Sequence, residues 1–197
     1  MNKNFLITGA SSGLGEIFSV LISDIAENIF ITGSNKKRLL NVKKKINNKN
    51  SKVNVIIIEA DLSKEKGVLN FIKSLKKQKK NIFIDVLVNS AANFTVKKLE
   101  KISTEQIKKD FQLNIISPFL ISKYVALIMK KRKKGVIFNI GSSSSYDCSE
   151  ETSIYCSTKH ALLGMSKSFN AELKDHGVRS IFIAPGSMKT PMGKKVK

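Results

Sequence analysis

Six short apolar runs, each followed or preceded by a longer stretch with helical periodicity, leave this chain few folds to choose from. The runs are Phe5–Thr8, Ile29–Thr32, Val53–Glu59, Ile84–Asn89, Val136–Ile140 and Arg179–Ala184. They are rich in Ile, Val and Phe, and read as nearly continuous apolar segments. Strands buried on both faces have that character, because helices cover a parallel sheet on each side. Between the runs, helical patterns fall at Gly13–Ile25, Lys36–Ile46, Lys64–Lys77, Thr104–Lys131 and Ser153–Leu173. Strict alternation predicts an α/β fold: a Rossmann-like, doubly wound parallel sheet in three α/β/α layers. Ser103 and Gln106 form a capping-box pattern at the start of the fourth helix, and Pro118 inside it predicts a kink. No repeat, linker or low-complexity boundary divides the chain, so one domain over 1–197 is expected.

Charge is the next constraint. Lys and Arg number 35 against 15 Asp and Glu, a net charge of +20. Such an imbalance raises nucleic acid, an anionic membrane or an acidic protein as partners. The lysines, however, are spread over Lys36–Lys45, Lys73–Lys80, Lys97–Lys101, Lys130–Lys134 and Lys194–Lys197, at positions that read as solvent-facing helix. No aromatic-rich basic strand, zinc pattern or basic zipper accompanies them, which argues against a dedicated nucleic-acid domain. No apolar run reaches the roughly 18 residues needed to span a membrane. The N-terminus runs straight into the first strand rather than into a secretory leader, so a cytoplasmic location is expected. Cys148 and Cys156 offer neither a disulfide framework nor metal-ligand spacing, and no metal site is expected.

Two motifs carry chemistry. The first strand leads into Thr8-Gly9-Ala10-Ser11-Ser12-Gly13-Leu14-Gly15 and then a helix. Glycines at 9, 13 and 15 allow a tight turn, close approach of the backbone to a phosphate, and close helix–strand packing. Helix-start amides then meet the pyrophosphate of a dinucleotide. Further on, Tyr155 and Lys159 stand one helical turn apart, and Tyr155 follows Ser142 at thirteen residues. A lysine charge about 4 Å from a phenolate is worth on the order of 4 kcal/mol, enough to draw a tyrosine pKa down by roughly three units. A tyrosine so tuned suits carbonyl/alcohol redox chemistry.

In their order and spacing these motifs resemble the short-chain dehydrogenase/reductase family, with its T-G-x-x-x-G-x-G and Y-x-x-x-K patterns, along nearly all 197 residues. Asp61-Leu62 stands where the family's acidic residue meets the adenine. Asn89-Ser90-Ala91-Ala92 stands where the family usually shows N-N-A-G, so Ser90 and Ala92 are departures. Asn114, Ser142, Tyr155 and Lys159 match the catalytic tetrad, and Pro185-Gly186-Ser187-Met188-Lys189-Thr190 matches P-G-x-x-x-T. The resemblance implies dinucleotide contacts at Gly9, Ser11, Ser12, Gly13, Leu14, Gly15, Asp61, Leu62, Asn89, Ala91, Tyr155, Lys159, Pro185, Gly186 and Thr190. Members of the family usually continue past this point to a seventh strand, whereas this sequence ends at Lys197.

No acid follows the second strand, where Gly33-Ser34-Asn35-Lys36-Lys37-Arg38 stands. Ser34 and Asn35 can donate hydrogen bonds and Lys36 or Arg38 can supply charge, so NADP(H) is expected ahead of NAD(H). By resemblance, Tyr155 would be the general acid, and Lys159 would tune it and hold the ribose. Ser142 would hold the carbonyl oxygen, and Asn114 would place a relay water. Asp147, Glu150 and Glu151 are candidates for the edge of the substrate pocket. Within the family, Met129–Ser142 and Tyr155–Ser168 look most like 3-oxoacyl-carrier-protein reductases and related general reductases, which implies Arg132 and Lys133 near the place that docks the acidic carrier. An acyl group on a carrier protein and a free small ketone both stay open as substrates. A homodimer or homotetramer is expected, and a non-catalytic dinucleotide-binding protein of the same fold is the rival reading.

Overall fold

The computed structural model describes residues 3–78, 83–188 and 192–193. Six parallel strands form one sheet: β1 (Lys3–Thr8), β2 (Ala26–Gly33), β3 (Asn54–Glu59), β4 (Val86–Asn89), β5 (Gly135–Ile140) and β6 (Val178–Ile183). Their spatial order is β3-β2-β1-β4-β5-β6. The chain winds outward from β1 in one direction, then returns and winds outward in the other. That reversal opens a crevice at the carboxyl ends of β1 and β4, the place where such sheets bind ligands.

Helices α1 (Gly13–Leu21), α2 (Lys36–Lys49), α3 (Glu65–Lys77), α4 (Thr104–Phe111), α5 (Ser117–Arg132) and α6 (Ser153–Leu173) cover the sheet. The strand pleat sorts the core into two halves. On β1, Phe5 and Ile7 point into one cluster with Leu39, Val42 and Ile46 of α2. Leu6, between them, points into the other with Phe71 of α3, Ile121, Val125 and Met129 of α5, and Leu173 of α6. Fully burying each of these side chains contributes about 1.5–3 kcal/mol, which is why apolar residues fill both faces and no alternation shows in the sequence.

The expected elements are all present, with one informative difference. The fourth helical pattern is two α-helices joined by a π turn at Gln112–Ile116, where the Ser117 amide reaches back to the Gln112 carbonyl. Pro118 is the cause we assign. It has no N–H for the carbonyl of Asn114, and its ring would crowd that carbonyl in a regular helix. The irregularity therefore falls one turn before the proline. The Ser103 hydroxyl accepts the Gln106 amide at 3.2 Å as the capping pattern predicts, but the Gln106 side chain turns inward instead of closing the box.

Taken as one span, Thr104–Arg132 is long and apolar enough to cross a membrane. That differs from the reading of the sequence, where lysines and polar residues interrupt every apolar run. Its buried Ile121, Val125, Ala126 and Met129 belong to the sheet core.

Candidate active site

A cleft of about 1020 Å³ opens at the crevice between β1 and β4. The first wall is the turn after β1. Gly9 has φ +67°, and a Cβ there would stand 2.7 Å from the Ala91 backbone. A Cβ on Gly15 would stand 2.5 Å from the Gly9 carbonyl oxygen. Any side chain at either position would push the turn and α1 apart. Ser12 precedes α1 in extended conformation and its hydroxyl does not cap the helix, so a ligand can take the place of a cap on the first-turn amides. Gly9, Ser11, Ser12, Gly13 and Leu14 line the cleft, and Gly15 lies behind them as packing. The donor set and the bare backbone fit a pyrophosphate.

Ser34, Asp61, Leu62 and Ala91 line the next part of the wall. Asn35 and Lys36 are outside the lining, and the Asn35 side-chain oxygen accepts the Arg38 amide at 2.9 Å as the cap of α2. That oxygen is thus committed to the helix. Asp61 Oδ1 accepts the Ser63 hydroxyl at 2.6 Å and the Ser63 amide at 3.1 Å. The Ser63 hydroxyl bond is the main reason its carboxyl lies below the usual range, with partial burial opposing and Lys64 assisting. Asn89 does not line the cleft. It is buried beneath the floor, where its Nδ2 donates to Ser122 Oγ and Asn139 Oδ1, each at 2.8 Å. Ala92 is absent from the described residues with positive φ, so the added methyl is borne without backbone strain.

The opposite corner of the cleft is built from the end of β5 and the first turns of α6. Ser142 follows β5 and lines the cleft with Tyr155, which is 7% exposed. Lys159, one turn further along α6, is 3% exposed, and its Nζ lies 5.4 Å from the Tyr155 ring centroid. The pKa expectation needs correction. Burial raises the Tyr155 pKa above its ordinary value, with the Ser142 hydroxyl opposing and Cys156 adding slightly. The ammonium of Lys159 donates instead to the Ile140 carbonyl at 2.7 Å, and burial lowers its own pKa to about 8. Desolvation outweighs the pairing that sequence spacing suggested.

Asn114 sits on the π turn and is 1% exposed. Its Oδ1 accepts the Asn93 amide at 2.8 Å, while its Nδ2 donates to the Asn93 carbonyl at 2.9 Å and to Thr158 Oγ1 at 3.0 Å. The side chain is fully engaged in tying the loop after β4 to α6. Pro185 and Gly186 line the far wall, Lys189 and Thr190 lie outside the described residues, and Met188 and Met192 add apolar lining. Glu150 and Glu151 edge the cleft as expected, Glu151 with φ +59°.

Beyond Ala92, the loop after β4 carries no pattern legible in the sequence. Phe94 there packs edge-on against the Tyr155 ring, with centroids 4.6 Å apart at 72°, and Asn93, Val96 and Lys109 also line the cleft. An aperiodic stretch has no pattern to read, and bonds from other elements, among them the pairing of Asn93 with Asn114, hold it in place. Among the described residues no cluster of His, Cys, Asp or Glu could hold a metal.

A glycine turn at the switch point of a six-stranded parallel sheet, with a buried Tyr-Lys pair opposite, defines a class of dinucleotide-dependent oxidoreductases. The model of the short chain dehydrogenase family matches residues 3–197, and the chain belongs to that family. It is similar to YhxC, an uncharacterized oxidoreductase of Bacillus subtilis, at 32% identity over 193 residues, covering 96% of this chain and 65% of the relative. It is also similar to the 3-oxoacyl-[acyl-carrier-protein] reductase FabG of Rickettsia typhi, at 27% identity over 194 residues, covering 98% of this chain and 76% of that protein. The chain thus spans between about two thirds and three quarters of these relatives' lengths. In fold it matches the short-chain dehydrogenase from Sphingobium yanoikuyae, solved in complex with NADPH, with a TM-score of 0.89 at 24% identity. That match covers 96% of this chain and 73% of that one.

Proposed function

We propose that the chain interconverts a carbonyl and a secondary alcohol with a nicotinamide dinucleotide. The observation that carries this reading is the placement of Ser142, Tyr155 and Lys159 together on the lining of the cleft that begins at the glycine turn. Gly9 to Leu14 would hold the pyrophosphate, Asp61 and Leu62 the adenine side, and Lys159 and Tyr155 the ribose beside the nicotinamide. When bound, the reduced dinucleotide supplies hydride to the carbonyl carbon.

Ser142 and Tyr155 line the same cleft, so a carbonyl oxygen held between them would receive two hydroxyl donors as its negative charge grows. Tyr155 then gives its proton to that oxygen as general acid. Its raised pKa keeps the phenol neutral at physiological pH, the form that carbonyl reduction needs. Alcohol oxidation needs the phenolate, so the oxidative rate should rise with pH across the alkaline range. Lys159 stands next in line to return the proton. The Asn114 carbonyl, deprived of a donor by Pro118, is suited to hold a water beside it.

NADP(H) is our preferred dinucleotide, because no acid follows β2 and Ser34 faces the cleft while Arg38 follows in the first turn of α2. An acyl group on a carrier protein and a free ketone are both candidate substrates, and a homo-oligomer in the cytoplasm is the setting we propose. The test is titration of purified protein with NADPH and NADH, followed by NADPH oxidation with a panel of ketones and 3-oxoacyl thioesters. Binding of neither dinucleotide would overturn the proposal.

A further inference from the structure

One buried carboxylate has no part in the chemistry above. Asp110 lies in the last turn of α4, is 1% exposed, and stands one helical turn before Asn114. Its Oδ1 accepts Asn93 Nδ2 at 2.7 Å and Gln106 Nε2 at 2.9 Å, and its Oδ2 accepts the Thr95 hydroxyl at 2.6 Å. The donors also touch one another. Asn93 Nδ2 reaches Thr95 Oγ1 at 3.3 Å, and Gln106 Nε2 reaches the same oxygen at 3.2 Å. Three side chains thus close a ring around one carboxylate.

Two members of the ring, Asn93 and Thr95, flank Phe94, the residue whose ring meets Tyr155 edge-on at 4.6 Å. The Asn93 backbone is pinned separately by the amide of Asn114. The segment has no helix or strand of its own, so these side chains stand in for a hydrogen-bond ladder. We infer that Asp110 is a positioning residue for Tyr155: its carboxylate fixes Asn93 and Thr95, which lay Phe94 over the phenol ring and exclude water from that side.

A carboxylate suits the task because it accepts from every direction and donates to none. Asp110→Asn keeps the shape but turns one acceptor into a donor, facing donors already present. The inference rests on the proposed function for its effect on turnover but not for its effect on Tyr155, and the test separates the two. Tyr155 can be watched alone in a Tyr124→Phe/Tyr146→Phe background, since the chain has three tyrosines and no tryptophan. In that background the ultraviolet signal of the phenolate reports Tyr155 without any substrate. Asp110→Asn should let water reach the ring and move the phenol titration to lower pH. Lys159 and Cys156, the titratable groups beside the phenol on α6, are unaltered by the substitution.

In turnover, Asp110→Asn should lower kcat by about 10- to 100-fold, as expected when a catalytic group is slightly misplaced, with dinucleotide affinity unchanged. In a Phe94→Ala background the same substitution should add little, because the ring it positions is gone. Thr95→Val withdraws one donor and should show the same direction at smaller size, which serves if Asp110→Asn does not fold. An unmoved phenol titration, or losses from Asp110→Asn and Phe94→Ala that simply multiply, would overturn the inference. Absence of turnover in every variant with a shifted titration would overturn the proposed function alone.

Discussion

Asparagines bridge neighbouring strands at both ends of this sheet, with different outcomes. At the amino-terminal end, Asn54 donates to Asn28, Asn28 to Asn4, and Asn4 to the Phe83 carbonyl, each at 2.8 Å. The residues stand opposite one another across β3, β2 and β1, and the chain of bonds closes on a backbone acceptor. At the carboxyl end, Asn89 and Asn139 stand opposite across β4 and β5. Asn139 passes the chain on to Ser166 and Ser180, both at 3.1 Å, but the Oδ1 of Asn89 finds no partner. The next residue on β5, Ile140, holds the buried ammonium of Lys159. One end of the sheet satisfies its polar groups; the other keeps an unpaired acceptor and a buried charge beneath the cleft. The contrast marks which end is built for stability and which for chemistry.

Four substitutions test that contrast. The largest effect should come from Tyr155→Phe, which removes the proposed general acid and should lower turnover about 10²- to 10⁴-fold while leaving dinucleotide binding intact. Steady-state rates beside a fluorescence titration check it, and comparable turnover in the variant would contradict the assigned role. Next, Asn139→Ala leaves the Asn89 amide and two buried serines without their shared partner, and should destabilise the fold by about 2–4 kcal/mol in urea melts.

Lys159→Met tests the buried charge. The Lys159 pKa falls from 10.5 to about 8 on folding, so between those values the unfolded chain binds more protons and wild-type stability rises with pH. The penalty is complete below pH 8 and fades as pH approaches 10.5. The variant's stability relative to wild type should therefore decline by about 3 kcal/mol over that window; a flat difference would count against the buried ammonium. The smallest effect belongs to the closed end of the sheet. Asn28→Ala should lower stability by about 1–2 kcal/mol and leave kcat unchanged. Loss of activity in the folded variant would blur the contrast.

The parallel sheet was legible because continuous Ile, Val and Phe runs have few other uses, and the glycine turn because close backbone approach admits no other residue at Gly9 and Gly15. Tyr155, Lys159 and Ser142 were legible as spacing. What spacing could not supply was solvent exposure. Placing Lys159 near the phenol suggested a lowered tyrosine pKa, and the depth of both groups reverses the direction. Asn35 and Asn89 illustrate a second limit, since an amide suited to a ribose is equally suited to a helix cap or a neighbouring strand. Asp110 lay beyond reach because Asn93 and Thr95, which bond it, come from an aperiodic loop, and Phe94 because it stands in that loop itself.

The π turn at Gln112–Ile116 bears on how this chain can change length. A helix crossing the molecule through such a turn holds one residue more than regular bonding needs. Deleting a residue there would restore the ladder but rotate everything upstream by about 100° against α5. Asp110 and Gln106 would swing away from Thr95, while Ile121, Val125 and Met129 stayed seated on the sheet. Insertions and deletions are usually tolerated in loops and rejected in cores. Here a stretch of helix should reject them for a different reason, because its surplus residue keeps two faces in phase.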